Sequence, residues 1–239
     1  MMYLRSLVFY VGYIGSTILW GSFATMVGVF LPLRVRFNFV IPPWTGFVIW
    51  WLKVTCGIKI EVTGREYLNR ERPAILFFKH QSSWDALYST LLTRPQVTII
   101  KKQLLWIPFF GWAFWVTKPI AIDRKQKVSS MRQMIRASAE RMKAGNWITI
   151  FPEGTRGQLG EVNPFQPGGA IIASTTKTDV IVVAHNGGYC WPRGKFKKSS
   201  GTINVHISPP ISTTDKTYRE LNEEAEAWMR NTMAEITPH

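Results

Sequence analysis

Carboxylates are missing from the start of this 239-residue chain: none occurs before Glu61. Cysteine is scarce too, with only Cys56 and Cys190, far apart and in no metal-like spacing. That argues against a disulfide framework and fits reduced thiols in a cytosolic setting. The four histidines, His80, His185, His206 and His239, have no partner at ligand spacing, and no H-E-x-x-H occurs, so no metal site is expected. There is no G-x-S-x-G, which removes the nucleophile elbow of serine hydrolases. Internal repeats and low-complexity linkers are absent as well.

What is present is apolar and basic. The apolar fraction is 46%, enough for a substantial core, and 29 Lys and Arg against 15 Asp and Glu give a formal charge of +14. Such a surface favours polyanions: nucleic acid, anionic lipid, phosphorylated substrates or an acidic partner. The cations are not interleaved with aromatics in a recognisable nucleic-acid module, so no nucleic acid partner is expected. Between Arg5 and Arg34 there is no charge, and a bilayer core needs about 20 apolar residues as a helix. A second uncharged run, Phe37 to Leu52, contains Pro42 and Pro43, which argue against one straight helix, and Trp44, Trp50 and Trp51, which suit a membrane interface. The N-terminus lacks an obvious small-residue cleavage site, and its apolar run is too long for a signal peptide. Three readings stay open: a single span, a hairpin dipping into one leaflet, and a buried core hairpin. Each basic residue near an anionic surface adds about 1 kcal/mol, which reinforces docking.

From about Cys56 the pattern changes to short apolar runs alternating with polar helices. "IKIEVTG", "AILFFKH", "VTIIKK", "PIAID", "WITIF", "DVIVVAH" and "TINVHIS" read as strands. Residues 84–92, 127–144, "GGAIIASTTK" and 217–236 read as helices, the last opened by a Thr217–Glu220 capping box. This predicts an α/β fold, a mixed central sheet flanked by helices behind an N-terminal apolar helical hairpin. The division falls between a membrane-associated segment, 1–55, and an α/β domain, 56–239.

Five stretches can carry chemistry. "HQSSWD" puts His80 at the mouth of a strand and Asp85 in the first turn of the next helix. A carboxylate there can fix the tautomer of an imidazole base. With no protein nucleophile in view, such a base implies that the substrate supplies the hydroxyl. Ser82 with Asp85 equally matches a helix capping box. "FPEGTRG" follows a strand with a Pro152–Gly154 turn and offers backbone donors and the Arg156 fork to a phosphate; a plain turn with a Glu153–Arg156 surface pair is the alternative. "PIAIDR" ends a strand in Arg124, which could converge with Arg156 on one anion. "KKQLLWIPFFGW" reads as a core helix or as a wall for an acyl chain. "RGKFKK", 193–198, is a solvated basic loop or a site for an anionic carrier or lipid.

In combination these stretches resemble the glycerolipid acyltransferase family. "HQSSWD" matches its H-x4-D motif, "FPEGTR" its most recognisable block and "PIAIDR" its arginine-containing block. "KKQLLWIPFFGW" is similar to the intervening segment of bacterial members, and "DVIVVAH" to the last apolar block. The resemblance runs from about residue 56 to 212. Two departures touch the acceptor side: Gln166 and Pro167 stand where lysines are frequent, and the last strand lacks a proline. The resemblance implies an acyltransferase in which His80 and Asp85 are catalytic. Arg124, Glu153, Gly154, Thr155, Arg156 and Lys101 would bind a phosphorylated acceptor. Leu104, Leu105, Trp106, Ile107, Phe109 and Phe110 would wall the acyl chain. It implies lysophosphatidic acid as acceptor, phosphatidic acid as product, and an acyl-CoA or acyl carrier protein thioester as co-substrate without a resident cofactor. It further implies contact with anionic phospholipid on the cytoplasmic face of a bacterial inner membrane, through a monotopic or single-span N-terminus. Acylation of glycerol 3-phosphate or another lysolipid, and a non-catalytic membrane-surface scaffold, are the rival functions.

Overall fold

The computed structural model describes residues 1–122 and 127–237. Two long helices open the chain, α1 (Met2–Gly28) and α2 (Leu33–Cys56). They are followed by β1 (Ile58–Thr63), β2 (Ile75–Phe78), α3 (Ser83–Leu92), β3 (Gln96–Lys101), α4 (Phe110–Val116), β4 (Ile120–Ile122) and α5 (Lys127–Lys143). The remainder is β5 (Trp147–Ile150), α6 (Gly168–Thr176), β6 (Val180–His185), the short α7 (Gly187–Cys190), β7 (Gly201–Ile207) and α8 (Tyr218–Ile236).

The strands form one seven-stranded sheet in the order β1-β7-β6-β2-β5-β3-β4. All neighbours run parallel except β6 and β7, so the sheet is mixed, as the sequence predicts. Strands β2, β5 and β6 are buried at every position. That is the pattern of central parallel strands covered on both faces. Alternate residues feed two cores. Leu76, Phe78, Ile181 and Val183 point toward α1, α2 and α3, meeting Phe9, Val48, Leu52 and Trp84. Ile75, Phe77, Ile148, Val180 and Val182 point toward α5, α6 and α8. The parallel strands β2, β3, β5 and β6 therefore end at one edge, where an open sheet places its ligands.

One expectation fails in the N-terminal pair. Pro42 and Pro43 do not break α2, which runs through both. A helical proline costs about 3 kcal/mol. Here the cost is met by burial of Val40, Ile41, Trp44, Val48 and Leu52, and tertiary packing outweighs local propensity. By contrast α1 turns much apolar surface outward, including Leu4, Leu7, Val11, Leu19, Phe23 and Met26. Exposure on this scale marks an interaction surface, and both helices are long and apolar enough to cross a membrane, which suggests a membrane association. Gly21 lets the chain approach closely at the far end of α1: a Cβ there would lie 2.8 Å from the carbonyl oxygen of Phe109.

Candidate functional site

β2 delivers its last residues to the carboxyl edge of the sheet, and the chain turns directly into α3. Ser82 caps that helix: its hydroxyl accepts from the Trp84 N–H at 3.1 Å and donates to the Trp191 carbonyl at 2.7 Å. Asp85 lies at the third helical position, wholly buried, and Oδ2 accepts the backbone N–H groups of Gln81 and Ser82, both at 2.7 Å. Both carboxylate oxygens also stand 3.3 Å from His80 Nδ1. The two readings of this stretch are therefore compatible: one carboxylate closes a capping box and faces the imidazole. A carboxylate only accepts, so Nδ1 carries the proton and Nε2 is left as the basic nitrogen. The His80 side chain is 17% exposed and its ring lies against Phe151, with centroids 4.3 Å apart. Burial pushes the Asp85 carboxyl up, but the hydrogen bond and charge of His80 and the Ser82 N–H outweigh it and hold the group below its usual range.

Two residues that sequence reasoning passed over support this pair from behind. Lys79, fully buried, donates from Nζ to both oxygens of Glu153 at 2.7 and 2.8 Å. Glu153 also accepts the His80 N–H and the Asn163 N–H, each at 2.9 Å. The Glu153 carboxylate thus faces inward and is saturated. The expectation that it touches the acceptor is amended: it fixes the backbone on which His80 sits. Burial pulls the Lys79 ammonium below its ordinary range, against the opposing pull of Glu153. The signal was present, since a lysine inside the buried run "AILFFK" demands a charged partner. His185 ends β6. Its Nε2 donates to the Lys79 carbonyl at 2.9 Å and its Nδ1 accepts the Gly187 N–H at 3.1 Å. Burial lowers its pKa to about 4, so the ring is neutral at physiological pH.

The turn after β5 stands beside this constellation. Gly154 takes φ +70°, a left-handed conformation open to glycine, and the Gly157 N–H donates to the His80 carbonyl at 2.9 Å. Thr155 is exposed and Arg156 half-buried, with the Arg156 carbonyl accepting from Arg193 of the basic loop at 3.1 Å. Glu153 pairs with Lys79 instead of forming a surface pair with Arg156. Lys101 is exposed at the end of β3, on the same edge. Arg124 lies outside the described residues. The apolar segment is not a closed wall: Leu104, Trp106 and Ile107 are exposed, and Leu105 and Phe109 half-buried. Phe110 alone of the six lines an apolar crevice between α1, α2 and α4, beside Trp20, Trp44 and Phe114.

Comparison with known proteins places this arrangement. Residues 59–186, more than half the chain, match the family model described as Acyltransferase. The chain is 39% identical over 238 residues to the 1-acyl-sn-glycerol-3-phosphate acyltransferase of Pseudomonas aeruginosa, covering 98% of this chain and 92% of that one. It is 30% identical over 166 residues to the Homo sapiens 1-acyl-sn-glycerol-3-phosphate acyltransferase alpha, covering 68% and 58%. The crystal structure of the 1-acyl-sn-glycerophosphate (LPA) acyltransferase of Thermotoga maritima matches with a TM-score of 0.81 over 98% of this chain and 95% of that chain, at 22% identity, a likeness of fold. A family match of that extent, joined to a relative similar along nearly its whole length, makes this chain a member of the acyltransferase family.

Proposed function

We propose that this acyltransferase moves a fatty acyl group from a thioester to the sn-2 hydroxyl of lysophosphatidic acid, giving phosphatidic acid for phospholipid synthesis. The carrying observation is the His80–Asp85 pair: among the described residues, no side-chain hydroxyl or thiol is hydrogen-bonded to the His80 ring. Ser82 spends its hydroxyl on the helix cap and the Trp191 carbonyl. Cys190 is buried, and burial raises its thiol pKa. The acceptor hydroxyl is then the nucleophile. It gives its proton to His80 Nε2 while its oxygen attacks the thioester carbonyl. The new C–O bond forms, the C–S bond breaks, and the imidazolium returns the proton to the departing thiolate. Asp85 acts through His80, holding the tautomer and balancing the positive charge. Arg156, Lys101 and Arg124 supply cations for the acceptor phosphate, with Thr155 and the Gly154 turn beside them. The thioester, on CoA or on an acyl carrier protein, is already activated, so the reaction calls for no metal or resident cofactor.

The membrane-associated helices and the charge of +14 support docking on the anionic cytoplasmic face of a bacterial inner membrane. The test offers the full chain in anionic vesicles acyl-CoA or acyl carrier protein with lysophosphatidic acid, glycerol 3-phosphate or lysophosphatidylcholine. Phosphatidic acid should be the main product. His80→Ala should lower turnover at least ~100-fold with unchanged melting, the usual contribution of a general base. Near-normal turnover by that variant, or equal use of an acceptor lacking the phosphomonoester, would refute the assignment.

A further inference from the structure

The apolar stretch between Leu104 and Trp115 faces outward. Leu104, Trp106 and Ile107 stand in the turn that follows β3, and Trp112 and Trp115 sit three residues apart on one face of α4. All five are exposed, Trp106 to 79%. The other face of α4 is already satisfied: Ala113 and Val116 are buried with Ala24 of α1 and Val40 of α2. Large apolar side chains rarely cluster on a surface that meets only water.

Two observations decide what covers them. The first is continuity. α4 packs along α1, and α1 itself exposes Leu19, Phe23 and Met26 over the portion near Gly21, with Phe30 exposed in the turn beyond it. The second is charge. No acidic residue occurs between Asp85 and Asp123, while Lys102 and Lys118 flank the stretch, both exposed. The Lys118 ammonium lies 5.2 Å from the Trp115 ring centroid. Tryptophan and lysine side by side suit the headgroup level of an anionic bilayer, where the indole meets both acyl chain and water.

We infer that the Leu104–Trp115 segment is a third membrane-contacting element, seated in the headgroup–acyl boundary beside α1. It acts as a bilayer footprint, not as the wall of an acyl pocket. Because Lys101 precedes it at the end of β3, this contact holds the carboxyl edge of the sheet, with His80, close to the lipid surface. The inference rests on membrane association and not on the acceptor assigned above.

The experiment uses the two buried native cysteines, which leave a new surface thiol as the reactive one. Trp106→Cys and Trp112→Cys full-length chains carry an environment-sensitive fluorophore and are reconstituted in phosphatidylglycerol–phosphatidylethanolamine vesicles. Val11→Cys on α1 and Glu223→Cys on α8, both exposed on the protein surface, are the bilayer and solvent references. The expected result is a blue shift and protection from aqueous iodide at 106 and 112 that match position 11. The double variant Trp112→Ser/Trp115→Ser should lose about tenfold in vesicle partitioning. Labels at 106 and 112 as quenchable as that at 223, with position 11 protected, would overturn the inference. So would a shift that ignores vesicles and appears only with long-chain acyl-CoA, which would restore the acyl-wall reading. Neither readout depends on turnover, so the failure of this inference and of the proposed reaction remain distinguishable.

Discussion

Asp85 receives two backbone N–H groups and faces an imidazole with one carboxylate, so the proposed catalytic turn and its helix cap are built from the same atoms. The residues behind it are ionic and dry. A buried Lys79–Glu153 pair tolerates removal of neither partner alone, because the survivor would be left as an unpaired charge. His185 carries a consequence for acid stability. Its folded pKa is near 4 against an ordinary 6.5. Below pH 6.5 the unfolded chain takes a proton that the folded chain refuses, so this contribution, whole above 6.5, is lost as pH falls toward 4. The size is about 3 kcal/mol, at 1.36 kcal/mol per unit. Asp85, held below its usual range, loses its own contribution at still lower pH. Melting followed against pH should therefore fall between pH 6.5 and 4 in the native protein. His185→Gln, which keeps one donor and one acceptor, should flatten that window; an unchanged slope would count against the neutral buried ring.

At the scale of elements, α3 is short and leans on its first turn. Ser82→Ala removes the cap and strands the Trp191 carbonyl. The expected loss is about 2–3 kcal/mol, a cap of about 1 plus a buried acceptor left unpaired, measured as a lower melting temperature. The elements themselves were largely legible. Short apolar runs marked the strands, and Thr217 with Glu220 marked the start of α8, where both halves of the capping box form. The apolar helical hairpin was legible, but the unbroken course of α2 was not, because its prolines argue locally against a helix that burial sustains. The orientation of the segment after β3 was not legible for a related reason. Composition reveals that residues are apolar, but only the packing of Ala113 and Val116 shows which face of α4 is already used.

On the scale of the whole molecule, the N-terminal pair is not a detachable anchor. Phe9 of α1 lies in the same core as β2 and β6, with its ring 5.1 Å from that of Trp191. The basic loop beyond Trp191 is pinned to the same helix. The Lys198 N–H donates to the Ser6 hydroxyl at 2.8 Å, and Lys198 Nζ donates to the Tyr10 hydroxyl at 2.8 Å and to the Lys195 and Phe196 carbonyls at 2.9 Å. "RGKFKK" is thus only partly a solvated face, since Lys198 is buried. Lys198→Met should free the loop while sparing the sheet. Limited trypsin digestion at Arg193 and Lys195 should run on the order of tenfold faster, as expected when lost buried hydrogen bonds ease local opening; unchanged cleavage would show that the pin is idle.

The sequence by itself determined the class of fold, the basic and apolar character of the N-terminal half, and the residues His80, Asp85 and Arg156 as a group worth finding together. It could do so because periodicity, charge and short motifs are local properties of the chain. Only the tertiary structure decided that Glu153 turns inward to Lys79, that His185 is a neutral brace, and that Trp106, Trp112 and Trp115 point outward. Each of those outcomes depends on which side of a strand or helix meets a partner distant in sequence. That choice is made by desolvation and packing across the sheet, which no local pattern encodes.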